Sequence, residues 1–359
     1  MRDKNLATDD GYSYEELQPL CAAALAAGLS VLLRGHPGVG KSALAREMAD
    51  RMALPMHDLR LAQREPAELC GVYFPDRDRQ VLQLLPPDWV HAVCQRPGLV
   101  FLDEINAAVT RLHQAAAYQI VLERRVGPFA FHPQTVVMAA GNLDEDQAIV
   151  SPLSSALNNR FVHFRMRVDP EAWLRWGETE GIHPAILAYV ASQGPNGARV
   201  LYEPTGDDAF ATPRSWAMAS KLLHGAADDK VGKRLVAACV GAAAAEKLYA
   251  YLRIWGRIHP EAIVVKGKPV SLQTHGYEPS FAYAATYAVA DWLVRQDSVP
   301  DAWLPNIVKF LQTPGLEAEL QWLCLRRLKD SGLVERLKVL PEFRTLAGNL
   351  VQVRTAVYA

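Results

Sequence analysis

The chain lacks any apolar run long enough to span a bilayer. Its longest apolar stretches, around residues 21–33 and 235–245, fall short of the about 20 apolar residues that a membrane helix needs and are rich in alanine and glycine. Cysteine is sparse: Cys21, Cys70, Cys94, Cys239 and Cys324 are odd in number, scattered and never in a C-x-x-C pair. That pattern suggests neither a disulfide framework nor a zinc knuckle, and a reducing cytoplasm fits it best. Charge of one sign is lacking as well. The formal net charge is −1, so no whole-molecule field draws the chain to nucleic acid or anionic lipid. The first ten residues carry acid and lack the apolar core of a secretion signal.

What is present is the balance of a soluble globular protein, half hydrophobic and 21% charged over 359 residues, a length that suits two or three compact units. Between residues 30 and 165 short β-branched or leucine-rich runs alternate with helical stretches, the signature of a parallel sheet with crossover helices. The expected strands are 31–34, 56–61, 99–103, 135–140 and 161–166. Residues 43–52 and 107–125 space their apolar side chains for helices. From about Pro170 the strand signal fades. Helical spacing then dominates, notably over 217–223 and 235–252, and Gly, Pro and polar residues over 264–279 mark a separator before a last helical segment, 281–359. The expected organisation is an α/β unit over 1–169, a helical lid over 170–255 and a helical extension over 256–359.

Gly35-His36-Pro37-Gly38-Val39-Gly40-Lys41-Ser42 fits G-x-x-x-x-G-K-[ST] and sits between a hydrophobic run and a helical pattern. Glycines let backbone N–H groups turn inward on phosphates, and the following helix adds its positive end. Lys41 is expected to reach the β- and γ-phosphates and Ser42 to ligate magnesium. The strand 99–103 ends in Asp103 and Glu104, two carboxylates that phosphoryl transfer to water requires: one for the magnesium shell, one to activate the water. Taken without the loop before it, this strand with its two acids reads equally as a strand edge with solvated charges. Strand 135–140 delivers Asn142 at its end, where an amide can touch a γ-phosphate or hold water, though Gly-Asn is also a common turn. Arg160 stands just before the fifth strand, placed either as a surface charge or as a guanidinium that enters a neighbour's site. Thr212-Pro213-Arg214 reads as a helix start, and a cation there conflicts with the helix dipole unless an anion meets it.

This order of elements resembles the AAA+ superfamily, and within it the MoxR group. The resemblance covers about residues 12–225. It implies that Gly35, Pro37, Gly38, Val39, Gly40, Lys41, Ser42 and Ala43 form the Walker A loop that holds ATP. Asp103 and Glu104 would be the Walker B pair, with Ser42 and Asp103 on Mg2+. Asn142 would be sensor 1, Arg160 a finger acting in trans and Arg214 sensor 2. It also implies a homo-oligomeric ring, usually of six, and often a partner carrying a von Willebrand A domain. Residues 68–82 and 124–132 lie where the group inserts hairpins, and Tyr73, Phe74, Phe129 and Phe131 are expected there to meet a protein client, the alternative being that they pack the ring's own interior. Tyr12 and Tyr14 stand where related proteins cradle adenine. Trp173, Trp176 and Trp216 read as lid core. The ten histidines show no metal-ligand spacing, so no metal beyond magnesium is expected. The expected function is ATP-driven remodelling, assembly or cofactor insertion of a protein partner; the alternatives are a nucleic-acid motor or loader and a nucleotide-switched assembly module with little turnover.

Overall fold

The computed structural model describes residues 11–107, 110–143, 153–225, 228–272 and 279–357. Residues 1–10, 108–109 of the expected helix 107–125, and 273–278 of the expected separator lie outside them. The chain divides into two compact units, residues 1–172 and 173–359.

The first unit is built on five parallel strands: β1 (Ser30–Gly35), β2 (Met56–Arg60), β5 (Leu99–Asp103), β8 (Val136–Gly141) and β9 (Phe161–Met166), in the order β2-β5-β8-β1-β9. These are the five runs expected from sequence, each within a residue at either end. The inner strands are continuous apolar runs because both faces of a parallel sheet are covered. Side chains alternate between the faces. Val31, Leu33, Phe101, Met138 and Ala140 pack against Leu17, Cys21 and Leu25 of helix α1 (Tyr14–Ala26) and Leu44, Ala45 and Met48 of α2 (Lys41–Arg51). Leu32, Val100, Leu102, Val137 and Ala139 face the other way, in a cluster with Val90, Val93 and Ile120.

Two short antiparallel hairpins interrupt the crossovers. β3 (Val72–Asp76) pairs with β4 (Val81–Leu85) between α3 (Pro66–Cys70) and α4 (Asp88–Gln95). β6 (Arg125–Val126) pairs with β7 (Phe129–Ala130) just ahead of β8. The helix expected over 107–125 is shorter: α5 (Arg111–Tyr118) loosens into a π-helical turn over Gln119–Glu123 and ends at Arg124, whose φ is +50°. That left-handed residue turns the chain into the hairpin. A short α6 (Ser155–Asn158) precedes β9.

Helix α7 (Pro170–Thr179) spans the boundary between the units. The second unit is helical: α8 (Pro184–Ala191), α9 (Gly197–Leu201), α10 (Pro213–His224), α11 (Asp229–Val240), α12 (Ala242–Trp255), α13 (Pro260–Val264), α14 (Pro279–Val294), α15 (Leu304–Leu311), α16 (Ala318–Leu328), α17 (Leu333–Leu337) and α18 (Pro341–Val357). The expected single helix over 235–252 is broken at Gly241, whose φ of +87° no ordinary side chain favours. Trp173 and Trp216 are core residues whose indole N–H groups donate to Pro213 O and Val200 O. Trp176 is not: 43% of it is exposed. α14 packs against α8, α12 and α16. Among the described residues no helix is long and apolar enough to cross a membrane.

Candidate nucleotide site

Parallel strands deliver their carboxyl ends to one edge, and there the sheet gathers its polar residues. β1 ends at Gly35, and the chain returns through Gly38 (φ +74°) and Gly40 (φ +109°) before α2 begins at Lys41. Left-handed glycines are what turn consecutive N–H groups of such a loop inward, and the first turn of α2 adds unsatisfied donors. Lys41 is buried. Its Nζ donates to Gly35 O at 2.6 Å, His36 O at 3.0 Å and Asn142 Oδ1 at 3.0 Å. Beside it Ser42 Oγ donates to Asp103 Oδ2 at 3.0 Å.

Asp103 Oδ1 accepts from the N–H of Glu104 at 2.9 Å. Glu104 takes φ +54°, an uncommon conformation for a side-chain-bearing residue. Its carboxylate is half-buried and has no partner among the described residues. Asn142 follows directly on β8, and the two hydrogen-bonded pairs, Lys41 with Asn142 and Ser42 with Asp103, adjoin because Lys41 and Ser42 are consecutive in the chain.

Arg160 lies apart from this network. It is exposed between α6 and β9, with no side-chain partner among the described residues. Its turn is braced instead: Arg34 Nη2 donates to Asn158 Oδ1 at 3.2 Å, and His163 Nε2 lies 2.7 Å from Asn158 O. Arg214 belongs to the second unit. It is exposed in the first turn of α10, where Thr212 caps the helix and Pro213 opens it as the sequence suggests. Tyr12 forms a one-residue bridge to Met166 beyond β9, its ring edge-on to Phe164 at 5.8 Å. Tyr14 donates its hydroxyl to Glu47 Oε2 at 2.8 Å, and its ring stands 3.6 Å from where a Cβ on Gly40 would lie. Burial, reinforced by Glu47, pushes the Tyr14 phenol well above its usual range, so it stays a neutral donor.

Sequence reasoning missed Asn106. Its buried amide donates Nδ2 to Asn142 O at 2.9 Å and accepts the Asn142 N–H on Oδ1 at 3.1 Å. Gly141 permits this: a Cβ there would sit 2.7 Å from Asn106 Oδ1. The available signal was Gly141 itself, a glycine at the end of an otherwise apolar strand, which marks close approach by another group.

The residues suit magnesium. A hydroxyl and a carboxylate already at 3.0 Å, beside a loop shaped for phosphate, are the hard oxygen donors this ion takes alongside water and substrate phosphates.

Residues 31–166 match the family described as ATPase family associated with various cellular activities (AAA). No curated protein matches the chain. Among solved structures, Thermotoga maritima RuvB, a Holliday junction branch migration motor, is 16% identical, with 76% of this chain and 86% of that one aligned and a TM-score of 0.37. A mutant of the same protein aligns over 79% of this chain and 92% of its own, at 15% identity and a TM-score of 0.35. A Cytophaga hutchinsonii protein provisionally described as an ATPase is 14% identical over 66% of this chain and 84% of its own, with a TM-score of 0.35. The likeness rests on that family match, which spans residues 31–166 and so takes in Gly35 to Ser42, Asp103, Glu104, Asn142 and Arg160.

Proposed function

We propose that the protein hydrolyses ATP with magnesium at the interfaces of a homo-oligomeric ring, six-membered in keeping with the MoxR resemblance, and uses the cycle to remodel or load a protein partner. One observation carries the chemistry: Ser42 and Asp103 meet at 3.0 Å while the buried Lys41 ammonium stands on the same loop. Ser42 and Asp103 would hold magnesium, which supplies charge neutralisation on the phosphates. Lys41 binds phosphate oxygens in exchange for its present carbonyl partners. Glu104, with its carboxylate uncommitted, orients and activates the attacking water. Asn142 holds that water or the γ-phosphate through the amide that now meets Lys41. Arg160, exposed and without a side-chain partner among the described residues, is the group offered to a neighbouring copy. Arg214 answers from the helical lid, which we assign to 170–255, with 256–359 as its extension.

The protein-partner part of this reading is supported by the exposed apolar side chains of the β3–β4 hairpin, Tyr73 and Phe74 among them. A von Willebrand A domain protein is the partner class suggested by the resemblance, and magnesium-ATP the only ligand pair proposed.

The test separates binding from chemistry. Lys41→Ala should lose ATP affinity, because it removes the charge that meets the phosphates. Glu104→Gln should bind ATP as tightly as wild type while turnover falls about 100-fold or more, as removal of a single transition-state group does elsewhere. Calorimetry and phosphate release read the two effects. Equal ATP affinity in wild type and in a folded Lys41→Ala would sink the assignment.

A further inference from the structure

β5 and β8 pair in register as far as Leu102 and Ala139. Beyond that the main chains cannot continue as a ladder, because Glu104 at φ +54° swings its strand out of extended conformation. Ile105 N recovers one bond, to Ala140 O at 2.9 Å. The next rung is made by a side chain. Asn106 presents a carboxamide, which has the same donor and acceptor as a peptide group, and exchanges both bonds with the backbone of Asn142. Gly141 leaves room for it, and the amide is 5% exposed.

The consequence falls on the Asn142 side chain. A residue one step beyond a strand has its φ and ψ set by whatever holds its N–H and C=O, and here both are held by Asn106. Asn142 Oδ1 is then delivered to within 3.0 Å of Lys41 Nζ. We propose that Asn106 is a positioning residue for ATP hydrolysis: it substitutes for the missing rung between β5 and β8 and so aims the Asn142 amide at the phosphate end of the site. This rests on the hydrolytic reading above and adds to it a residue that acts through the backbone of Asn142.

A purely structural asparagine, buried and self-satisfied, would lower stability when replaced and would do so independently of Asn142. The two accounts part in a double-mutant cycle on the full chain with Asn106→Leu and Asn142→Ala. Asn106→Leu should cut kcat about tenfold or more with KM for ATP within about twofold, since the lost interaction acts in the transition state and not in ground-state binding. Combined with Asn142→Ala, it should add little to the loss from Asn142→Ala alone, because the aimed group is already gone. Losses that multiply, or an ATP affinity that falls in step with turnover, overturn the proposal. Should the leucine variant not fold, Asn106→Asp keeps the size and the acceptor, removes the donor to Asn142 O, and takes its place in the same cycle. Amide hydrogen exchange by NMR gives a reading independent of turnover: protection at Asn142 should fall in Asn106→Leu or Asn106→Ala, which remove the acceptor of that N–H, while that at Val137 and Ala139 stays. If wild type binds ATP without hydrolysing it, the proposed function fails by itself. Exchange then decides this inference, and an unchanged Asn142 amide overturns it.

Discussion

The two hairpins of the first unit look alike in sequence and differ in what they do with their apolar side chains. β3–β4 displays them: Val72, Tyr73, Phe74, Val81, Leu82 and Leu85 are between 44% and 68% exposed, and the aromatic pair lies along β3, not at the turn. β6–β7 buries them. Phe131, just past β7, is 6% exposed and meets Trp89 edge-on at 5.8 Å, and Phe129 packs on the same core. The expectation that Phe129 and Phe131 meet a client alongside Tyr73 and Phe74 is corrected for Phe131 by that burial. The basic residues of the second hairpin are engaged too. Arg124 Nη2 donates to Gly28 O at 3.2 Å, and Arg125 Nε donates to Gly127 O at 2.6 Å. Burial pushes the Arg124 guanidinium down to about 10, and it keeps its charge at neutral pH while its bond to Gly28 O ties it within the unit. An aromatic on a short hairpin is thus no evidence of a contact surface. What separates the two cases is whether a helix stands behind the strand, as α4 does behind Phe131.

The comparison breaks most readily at Phe131. Phe131→Ala should destabilise the protein by about 3–5 kcal/mol, the range for truncating a buried aromatic, in denaturant unfolding followed by circular dichroism. Tyr73→Ser and Phe74→Ser should each stay within about 0.5 kcal/mol of wild type, as exposed substitutions do. Similar costs at the two hairpins would show that the exposed pair has found cover of its own.

A smaller effect is expected where the hairpins touch. Gly127 turns β6 into β7 at φ +52°, and a Cβ there would lie 2.6 Å from Leu84 Cδ2 of β4. Gly127→Ala should cost about 1–2 kcal/mol, chiefly for the left-handed backbone. Leu84→Ala in the same chain should recover only the steric part, since the leucine end can already move aside. Full recovery would mean that contact between the hairpins, and not the turn, sets the cost.

The smallest effect on the molecule itself sharpens the contrast from the other side. Tyr73→Ser with Phe74→Ser should leave ATP turnover within about twofold of wild type, while reducing capture of the protein partner, as loss of exposed aromatic anchors does. Turnover that falls with assembly state would place the pair inside the oligomer.

The sheet was legible because apolar runs of the right length end at turn or acidic residues, and the phosphate loop because Gly35 to Ser42 is a dense pattern with a fixed mechanism. Asp103, Glu104 and Asn142 were legible by the same logic, being polar residues at the ends of buried strands. Asn106 was not, since its role exists only once two strands separated by a crossover lie side by side. Nor was the burial of Phe131, which depends on Trp89, 42 residues earlier in the chain. Gly241 and the π-helical turn at Gln119–Glu123 break helices whose apolar spacing runs on through them. The helical unit from Trp173 onward has no motif to pin its register, and apolar residues at helical spacing do not say which helix covers which.

That last point bears on how the protein is made. α8 is almost wholly buried, and α14, which packs on it, is synthesised roughly a hundred residues later; at about 5–20 residues per second the ribosome leaves that apolar helix waiting on the order of 5–20 s. The sheet faces no such delay, because β9 completes it at Met166. A nascent chain therefore carries a finished first unit while α8 still lacks its cover, and the second unit is where slowed translation or a missing chaperone would first show as aggregation.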